Sequence, residues 1–222
     1  MPETRGRPRT VESPTGLGTA EDVLAAAARL FSAKGFSATS THAIAQAAGV
    51  RQASLYHYFR SKNDILLRLL VGTVSPSVTA ARALLVADEP PAPRLWALSA
   101  WDARLLVEDR FNLGSLYLQP EVADDYFAEF HTLRGELREA YAHLIGECGG
   151  QPAELITDLA LGLVESVILL RRRDAERVGP STPPLVADGV LRLVSTPSPQ
   201  IEDASRHGRR ILEGLIKPEP AM

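Results

Sequence analysis

The residues of this sequence that are best suited to chemistry lie in one short polar stretch, from Arg51 to Lys62. A glutamine such as Gln52 can pair with adenine through two hydrogen bonds, and an alanine methyl can contact the methyl group of thymine. Hydroxyl and ammonium groups can bind phosphate, which positions a protein on DNA without reading its sequence. The side chains expected to be exposed are Arg51, Gln52, Ala53, Ser54, Tyr56, His57 and Lys62. Their types predict binding of a nucleic acid.

Two short helices, at about 41–48 and 52–58, are needed to present these side chains. Ala45 is small enough to lie where the helices cross, and Gly49 can adopt the positive φ of a tight turn. Four apolar residues would hold the angle between the helices: Ile44, Ala48, Val50 and Leu55. This pattern is typical of a helix-turn-helix whose second helix enters the major groove of DNA. An ordinary helical hairpin with a solvated polar face is the alternative.

Residues 19–70 resemble the DNA-binding part of the TetR family of bacterial transcriptional regulators. The motifs that carry this resemblance are Phe31…Gly35-Phe36, Ile44-Ala45…Ala48-Gly49-Val50 and Leu55-Tyr56-His57-Tyr58-Phe59-Arg60-Ser61-Lys62. Arg51 departs from the pattern, because family members often have a serine or another small cap there. This departure adds a further candidate contact to phosphate or bases.

The resemblance also implies roles for individual residues. Gln52, Ala53 and His57 would lie over base edges. The residues implied to contact the DNA backbone are Thr41, Ser54, Tyr56 and Lys62, and His42 lies where some members also touch DNA. Tyr58 and Phe59 would instead pack between the third and fourth helices. The implied partners are double-stranded operator DNA, a second copy of the chain and a small-molecule ligand.

The charge of the chain is divided unevenly along its length. Residues 1–72 carry nine Lys and Arg against five Asp and Glu, whereas the remainder carries 15 against 22. A cationic N-terminal part suits contact with phosphate. Residues 1–18 have the composition of a disordered basic arm. In this arm Arg5, Arg7 and Arg9 resemble a hook for the minor groove, and a plain solvated tail is the alternative.

Several function classes find no support in the sequence. The single cysteine, Cys148, can form neither an internal disulfide framework nor a zinc site by itself. There is no Ser-His-Asp arrangement and no phosphate-cradling loop, so we expect no enzyme, no cofactor and no metal. Glu139, His143 and Glu147 share a helix face, which a solvated charged face also explains. No apolar run approaches about 18 residues, so we expect a cytoplasmic protein without a membrane partner.

The pattern predicts an all-α fold with three regions. These are an arm (residues 1–18), a three-helix helix-turn-helix head (residues 19–64) and a larger helical ligand-binding and dimerisation body (residues 65–222). Thr19 would cap the first helix, with Asp22 completing a capping box, and Gly35 would end it. Later helices are expected from Ser61, at about 94–108, from Pro120 to about Ile145, at 153–174, at 185–194 and at about 200–216.

Two functional surfaces are predicted in the body. Its aromatic residues are concentrated between 96 and 131, which favours an apolar ligand pocket, although scattered core aromatics explain them as well. The pocket candidates are Trp96, Trp101, Arg104, Phe111, Tyr117, Phe127 and His131. The strongly apolar helix at 153–174 is the candidate dimer interface, through Leu155, Leu159, Leu163, Val167 and Leu170. The alternative is that this helix is the central core of the body.

These features predict a DNA-binding transcriptional regulator, a repressor that a small ligand releases from a palindromic operator. A DNA-binding regulator controlled by a protein partner, with no small-molecule pocket, is the alternative. A cavity among the body helices would favour the first hypothesis and a filled body the second.

Overall fold

The computed structural model describes residues 14–151 and 153–216 of the chain. Within these residues nine α-helices and no strand are present, so the predicted all-α class is confirmed. The helices are α1 Thr19–Lys34, α2 Thr41–Ala47, α3 Gln52–Tyr58, α4 Lys62–Leu85, α5 Pro91–Glu108, α6 Ala128–Glu147, α7 Ala153–Arg173, α8 Thr182–Leu193 and α9 Ser198–Ile216. The predicted arm residues Arg5, Arg7 and Arg9 lie outside the described residues.

The chain divides into two compact units, Met1–Leu69 and Leu70–Met222. Helix α4 continues from the first unit into the second, since it begins at Lys62 and ends at Leu85. The predicted functional boundary after residue 64 stays a prediction.

The first helix begins differently from the predicted capping box. Thr19 is the first helical residue and Gly18 occupies the N-cap position, without a side-chain cap. The carboxylate of Asp22 instead accepts hydrogen bonds from the backbone N–H and the hydroxyl of Thr15, at 2.8 and 2.7 Å. The predicted box is therefore wrong, because Asp22 pairs with the preceding turn. The C-terminal end of the predicted arm is thereby attached to α1.

Helix α5 is the central element of the second unit. It packs against α6, α7, α8 and α9, and it is buried along most of its length from Pro93 to Ala103. Trp96 and Tyr141 are the largest fully buried side chains of this core. Gly208 lets α9 approach α5 closely, because a Cβ at that position would lie 2.5 Å from Cε3 of Trp96.

The segment between α5 and α6 corrects the prediction of one helix from Pro120 to about Ile145. It consists of three short 3-10 helices, Leu113–Leu118, Pro120–Ala123 and Asp125–Phe127. Asp124 interrupts the helical run, because its extended backbone and its side chain, which accepts from the N–H of Tyr126, form an N-cap. The α-helix proper begins only at Ala128.

Helix α4 also corrects the expectation that no segment is apolar enough to span a membrane. By length and composition it passes that test, with a mean hydropathy of 1.3 over its best window. Half of that window is buried inside the protein, and core helices of globular proteins pass the same test. The apolar character of α4 is accounted for by this packing.

Candidate nucleic-acid interface and body cavities

The turn between α2 and α3 has the geometry that its sequence predicts. Ser40 caps α2 by accepting a hydrogen bond from the N–H of Ala43. Gly49 adopts a φ of 66°, which favours glycine because it has no Cβ. The N–H of Val50 then donates to the carbonyl of Ala45 at 3.0 Å, which closes the turn. The helix-turn-helix is therefore built from local hydrogen bonds together with the buried side chains of Ile44, Ala45 and Leu55.

Helix α3 presents one polar face to solvent. The exposed side chains on or beside it are Arg51, Gln52, Ala53, Tyr56 and His57, with Ser54 half-buried. Arg51 occupies the N-cap position, and its side chain makes no capping hydrogen bond. Its guanidinium group is therefore not required by the helix that follows it. His42, at the start of α2, is exposed as well.

A small hydrogen-bonded network joins the start of α2 to the exposed face of α3. The hydroxyl groups of Thr41 and Tyr56 are 3.1 Å apart, and the side-chain amide of Gln52 donates to the Thr41 hydroxyl at 3.4 Å. Residues 11 and 15 positions apart in sequence thus share one polar surface. This network orients Gln52 and Tyr56, and its hydroxyl groups keep capacity for a further partner.

Lys62 lies in a setting that sequence reasoning missed. Its ammonium group donates to the carbonyls of Phe36 and Thr39, at 2.8 and 2.9 Å. It also lies 4.2 Å from the centre of the Phe36 ring. These contacts hold the loop after α1 against the start of α4. They give Lys62 a positioning role within the head, and the phosphate contact expected of it stays a prediction.

The two aromatic residues that end α3 behave differently from each other. Phe59 is buried, as the sequence predicts. Tyr58 is 52% exposed and lies edge-on to the ring of His57, with centroids 5.2 Å apart. The expectation that Tyr58 packs into the core is therefore wrong, because it lies on the outer side of the last turn of α3.

The predicted pocket residues do not line a single cavity. Trp96 and Arg104 border a cavity of about 320 Å³ between α5, α9 and the prolines that precede and begin α8. Tyr117 borders a separate cavity of about 40 Å³ between α4, α5, α6 and α7. Trp101, Phe111, Phe127 and His131 line neither of these two cavities. Phe127 is fully buried, and a ring nitrogen of His131 lies 2.8 Å from the carbonyl of Val122.

The larger cavity has arginine side chains along an apolar wall. Arg104 pairs with Glu108 at 2.7 Å, and the guanidinium group of Arg209 lies 5.3 Å from the Trp96 ring. The indole N–H of Trp96 donates to Asp188 at 2.7 Å, which fixes the ring that forms the cavity floor. Trp96 is thus well placed to report a change in this cavity by its fluorescence.

The smaller cavity contains a carboxylate that the sequence did not single out. Asp102, on α5, is 5% exposed, and its Oδ2 accepts from the hydroxyl of Tyr141 at 2.9 Å. Its Oδ1 is buried without a hydrogen-bond partner of normal geometry. Burial raises the pKa of Asp102 to about 6, against the lowering effects of the Ser77 and Tyr141 hydroxyls. In the sequence, the only indication of this site is that Asp102 is a single acidic residue on an otherwise apolar face of a predicted helix.

Tyr117 is the predicted pocket residue that lies beside this carboxylate. Its hydroxyl donates to Thr73 at 2.6 Å, and burial raises its pKa to about 12. Arg134 stacks over the Tyr117 ring at 5.0 Å and forms an ion pair with Glu165 at 2.7 Å. The cavity therefore combines apolar walls with a few fixed polar groups, which is the usual composition of a small-ligand site.

The predicted interface residues of α7 fall into two groups. Leu155, Leu159 and Leu170 are 57%, 51% and 43% exposed, and Leu169 and Leu185 are exposed beside them. Leu163 packs instead beside Gly189 of α8, where a Cβ would lie 2.7 Å from its side chain. Val167 is fully buried in the core. The exposed leucines are available to a partner, and the predicted dimer interface stays a prediction.

Of the residues Glu139, His143 and Glu147 on α6, Glu147 forms an ion pair with an arginine. Glu147 pairs with the buried guanidinium group of Arg94 at 2.8 Å, and His143 lies 3.7 Å from the same carboxylate. Within the described residues, no group of three or more His, Cys, Asp or Glu side chains is arranged to hold a metal ion.

Residues 23–69 match the family model described as bacterial regulatory proteins, tetR family. The chain is 43% identical to AmtR of Mycobacterium smegmatis, with a TM-score of 0.82, over 91% of this chain and 97% of that one. PfmR of Thermus thermophilus is 26% identical, with a TM-score of 0.66, over 77% and 97% of the two chains. The HTH-type transcriptional repressor KstR2 of Rhodococcus jostii is 26% identical over 151 residues, which are 66% of this chain and 72% of that protein.

Proposed function

Because this chain belongs to the TetR family of bacterial transcriptional regulators, we propose that it is a homodimeric repressor that a small ligand releases from a palindromic operator. The observation that carries the DNA-binding part is the exposed polar face of α3, which is supported from behind by buried Leu55. Repression is supported by the similarity to a Rhodococcus protein that is named a repressor. We also propose that the protein acts in the cytoplasm, where its operator would be.

In this proposal the residues of the head divide between reading bases and holding the backbone. Gln52, Ala53 and His57 read base edges, while Thr41, Ser54 and Tyr56 contact phosphate. His42 and Arg51 are exposed near the same face and add further contacts. The arm residues Arg5, Arg7 and Arg9 would follow an adjacent minor groove. Lys62 supports the head from within rather than contacting DNA.

A palindromic operator requires a twofold protein whose recognition helices are about 34–36 Å apart. The exposed leucines of α7 and α8 support a homodimer, because isolated apolar side chains are common on surfaces but a row along one helix indicates an interface. Helices from each protomer would together form a four-helix interface. The proposed contact residues are Leu155, Leu159, Leu169, Leu170 and Leu185.

The two cavities described above support control by a small ligand rather than by a protein partner alone. Thr73, Val74 and Ser77 of α4 line the smaller one, and α4 continues into the helix-turn-helix unit. A ligand that displaces α4 would change the spacing of the recognition helices. To weaken operator binding a hundredfold, the ligand must prefer the DNA-incompetent state by about 2.7 kcal/mol.

The test is to capture fragments of the source genome on the wild-type protein and to sequence them. We expect enrichment of fragments that share an inverted repeat, since a twofold protein binds a twofold site. The matched control is the double variant Gln52→Ala/His57→Ala, which keeps the fold and should lose this enrichment. Equal capture by both proteins would contradict recognition by α3. A reporter placed behind the captured site then distinguishes repression from activation.

A protein-controlled regulator would give a different result in the same system. Operator release would then require a macromolecular fraction of cell extract, and the small-molecule filtrate would have no effect. Release by the filtrate supports the proposed ligand control.

A further inference from the structure

We propose that the cavity beside Asp102 binds a small protonated amine, whose ammonium group pairs with the Asp102 carboxylate, and that this binding weakens operator DNA binding. The inference rests on the ligand control proposed above and names the chemical class of the ligand. It depends on three observations, namely an unsatisfied buried carboxylate, the local balance of charge and the size of the space.

One oxygen of the Asp102 carboxylate lacks a hydrogen bond of normal geometry, although the Ser77 hydroxyl lies near the group. Its Oδ2 accepts from Tyr141, while its Oδ1 is buried without a hydrogen-bond partner of normal geometry. An ionised carboxylate removed from water is costly unless a donor or a cation pairs with it. A ligand that brings an N–H group to Oδ1 would therefore recover interaction energy that the unliganded protein lacks.

The charges around the cavity favour a cation over a neutral or an anionic ligand. Arg134 is the basic side chain that lines the cavity, and its guanidinium group is paired with Glu165 at 2.7 Å. Asp102 together with this pair leaves a net charge of −1 at neutral pH. A protonated amine cancels that charge, a neutral amide leaves it in place, and an anion would add repulsion.

The size of the cavity restricts the amine. A buried water molecule needs a cavity volume of at least about 10–15 Å³. The cavity beside Asp102 has a volume of about 40 Å³, so it holds only a few non-hydrogen atoms. An ammonium or methylammonium group fits beside Asp102, and a short alkyl chain can contact Leu105, Leu161 and Val164.

The first experiment measures thermal unfolding with methylammonium chloride against potassium chloride, at equal ionic strength, in amine-free buffer at pH 8. Wild-type protein should gain about 5–10 °C in Tm at a hundred times the dissociation constant. Asp102→Asn should lose this gain. The matched control is Asp203→Asn, which alters an exposed carboxylate that pairs with Arg206 and lies outside this cavity. It should keep the gain.

Several outcomes would overturn the inference. An equal rise of Tm in potassium chloride would mean that any monovalent cation suffices. The absence of any rise would mean that water alone occupies the cavity, and a rise that persists in Asp102→Asn would place the amine elsewhere.

A second measurement needs no variant, so a folding defect cannot obscure it. Methylammonium affinity should fall as the pH is lowered through about 6, because protonation removes the charge of Asp102. The groups that face Asp102 are the hydroxyls of Ser77 and Tyr141, with Glu165 and Arg134 farther away. Burial raises the pKa of the Tyr141 hydroxyl, so it stays neutral in this range. Affinity that is constant from pH 8 to pH 5 would contradict pairing with Asp102.

Operator binding separates this inference from the proposed function. If the wild type retains no genomic fragment but still shows the methylammonium shift, the proposed function fails and the binding site stands. If fragments are retained normally and no shift occurs, only the amine site fails. If methylammonium binds but leaves operator affinity unchanged, the proposed regulatory role of the amine is contradicted. Operator release by methylammonium that is lost in Asp102→Asn and kept in Asp203→Asn supports both the proposed function and the amine site.

Discussion

In the head, one helix of seven residues supplies most of the candidate interface, whereas in the body the Asp102 cavity takes its walls from α4, α5, α6 and α7. Most polar side chains of α3 are exposed to solvent. The polar groups of the cavity are buried or half-buried, so they depend on partners brought from distant parts of the chain. A substitution in the head should therefore change DNA binding with little effect on the fold. A substitution in the body should change stability, assembly and response together.

The strongest test of this contrast is the proposed dimer surface of α7. Leu159→Asp should place an unpaired charge in the apolar interface, which costs several kcal/mol. Sedimentation should show a folded monomer, and operator binding should be lost although the recognition helix is unchanged. The matched control is Val86→Asp, at an exposed apolar residue after α4. A Leu159→Asp protein that remains a dimer would place the interface elsewhere.

A buried charge in the body should produce the next largest effect. Burial raises the pKa of Asp102 from an ordinary 3.8 to about 6, so the folded protein binds a proton more tightly than the unfolded chain. The ionised group therefore destabilises the fold above pH 6, and this cost disappears as the pH falls to about 4. Asp102→Asn should raise the free energy of unfolding by roughly 3 kcal/mol at pH 8 in amine-free buffer.

Denaturant titrations at pH 8 and pH 4 measure this difference. The two proteins should be equally stable at pH 4. A variant that is less stable than wild type at pH 8 would show that the carboxylate is compensated within the protein.

In the head, Gln52→Ala should weaken operator binding by about 1–3 kcal/mol and leave binding to random DNA nearly unchanged. Tyr56→Phe is the comparison, because loss of a phosphate contact should weaken binding to both DNAs. Fluorescence anisotropy with operator and scrambled duplexes measures the two effects, and the melting temperature should stay constant. An equal loss on both duplexes would remove Gln52 from the base-reading residues.

Lys62 tests whether every polar side chain of the head serves DNA. Lys62→Met keeps the aliphatic stem but removes the hydrogen bonds to Phe36 and Thr39, which should lower the free energy of unfolding by about 1–2 kcal/mol. The salt dependence of operator binding should keep its slope. A slope that falls by about one unit, with unchanged stability, would restore the phosphate contact that the sequence suggested.

The arm should give the smallest effect. Removing residues 1–13 should leave the melting temperature unchanged, because Thr15 and its contact to Asp22 remain. Operator affinity should fall several-fold, most where A·T pairs flank the site, since Arg5, Arg7 and Arg9 are lost. The measurement is anisotropy with duplexes that differ only in these flanks. Unchanged affinity on every duplex would reduce the arm to a solvated tail.

The sequence by itself determined the helical fold class, the two helices of the helix-turn-helix and the polar face of α3. These depend on short-range rules, such as glycine at a positive φ, serine at an N-cap and apolar residues at helical spacing. The same rules misplaced the start of α6, because extended backbone at Gln119 and Asp124 divides a run of helical composition into short 3-10 helices. Interactions between neighbours in the chain are sufficient to predict the helix-turn-helix, but they are not sufficient to predict where α6 begins.

Only the tertiary structure decided which polar groups of the body face one another. Trp96 and Tyr117 were expected in one pocket but border separate cavities, and Val167 was expected at an interface but is buried. Asp102 became a candidate only when Tyr141 and Arg134, 39 and 32 residues farther along the chain, came to lie near it. Helical periodicity tells which residues share a face, but it does not tell which other helix that face will meet, since that is set by the packing of the whole core.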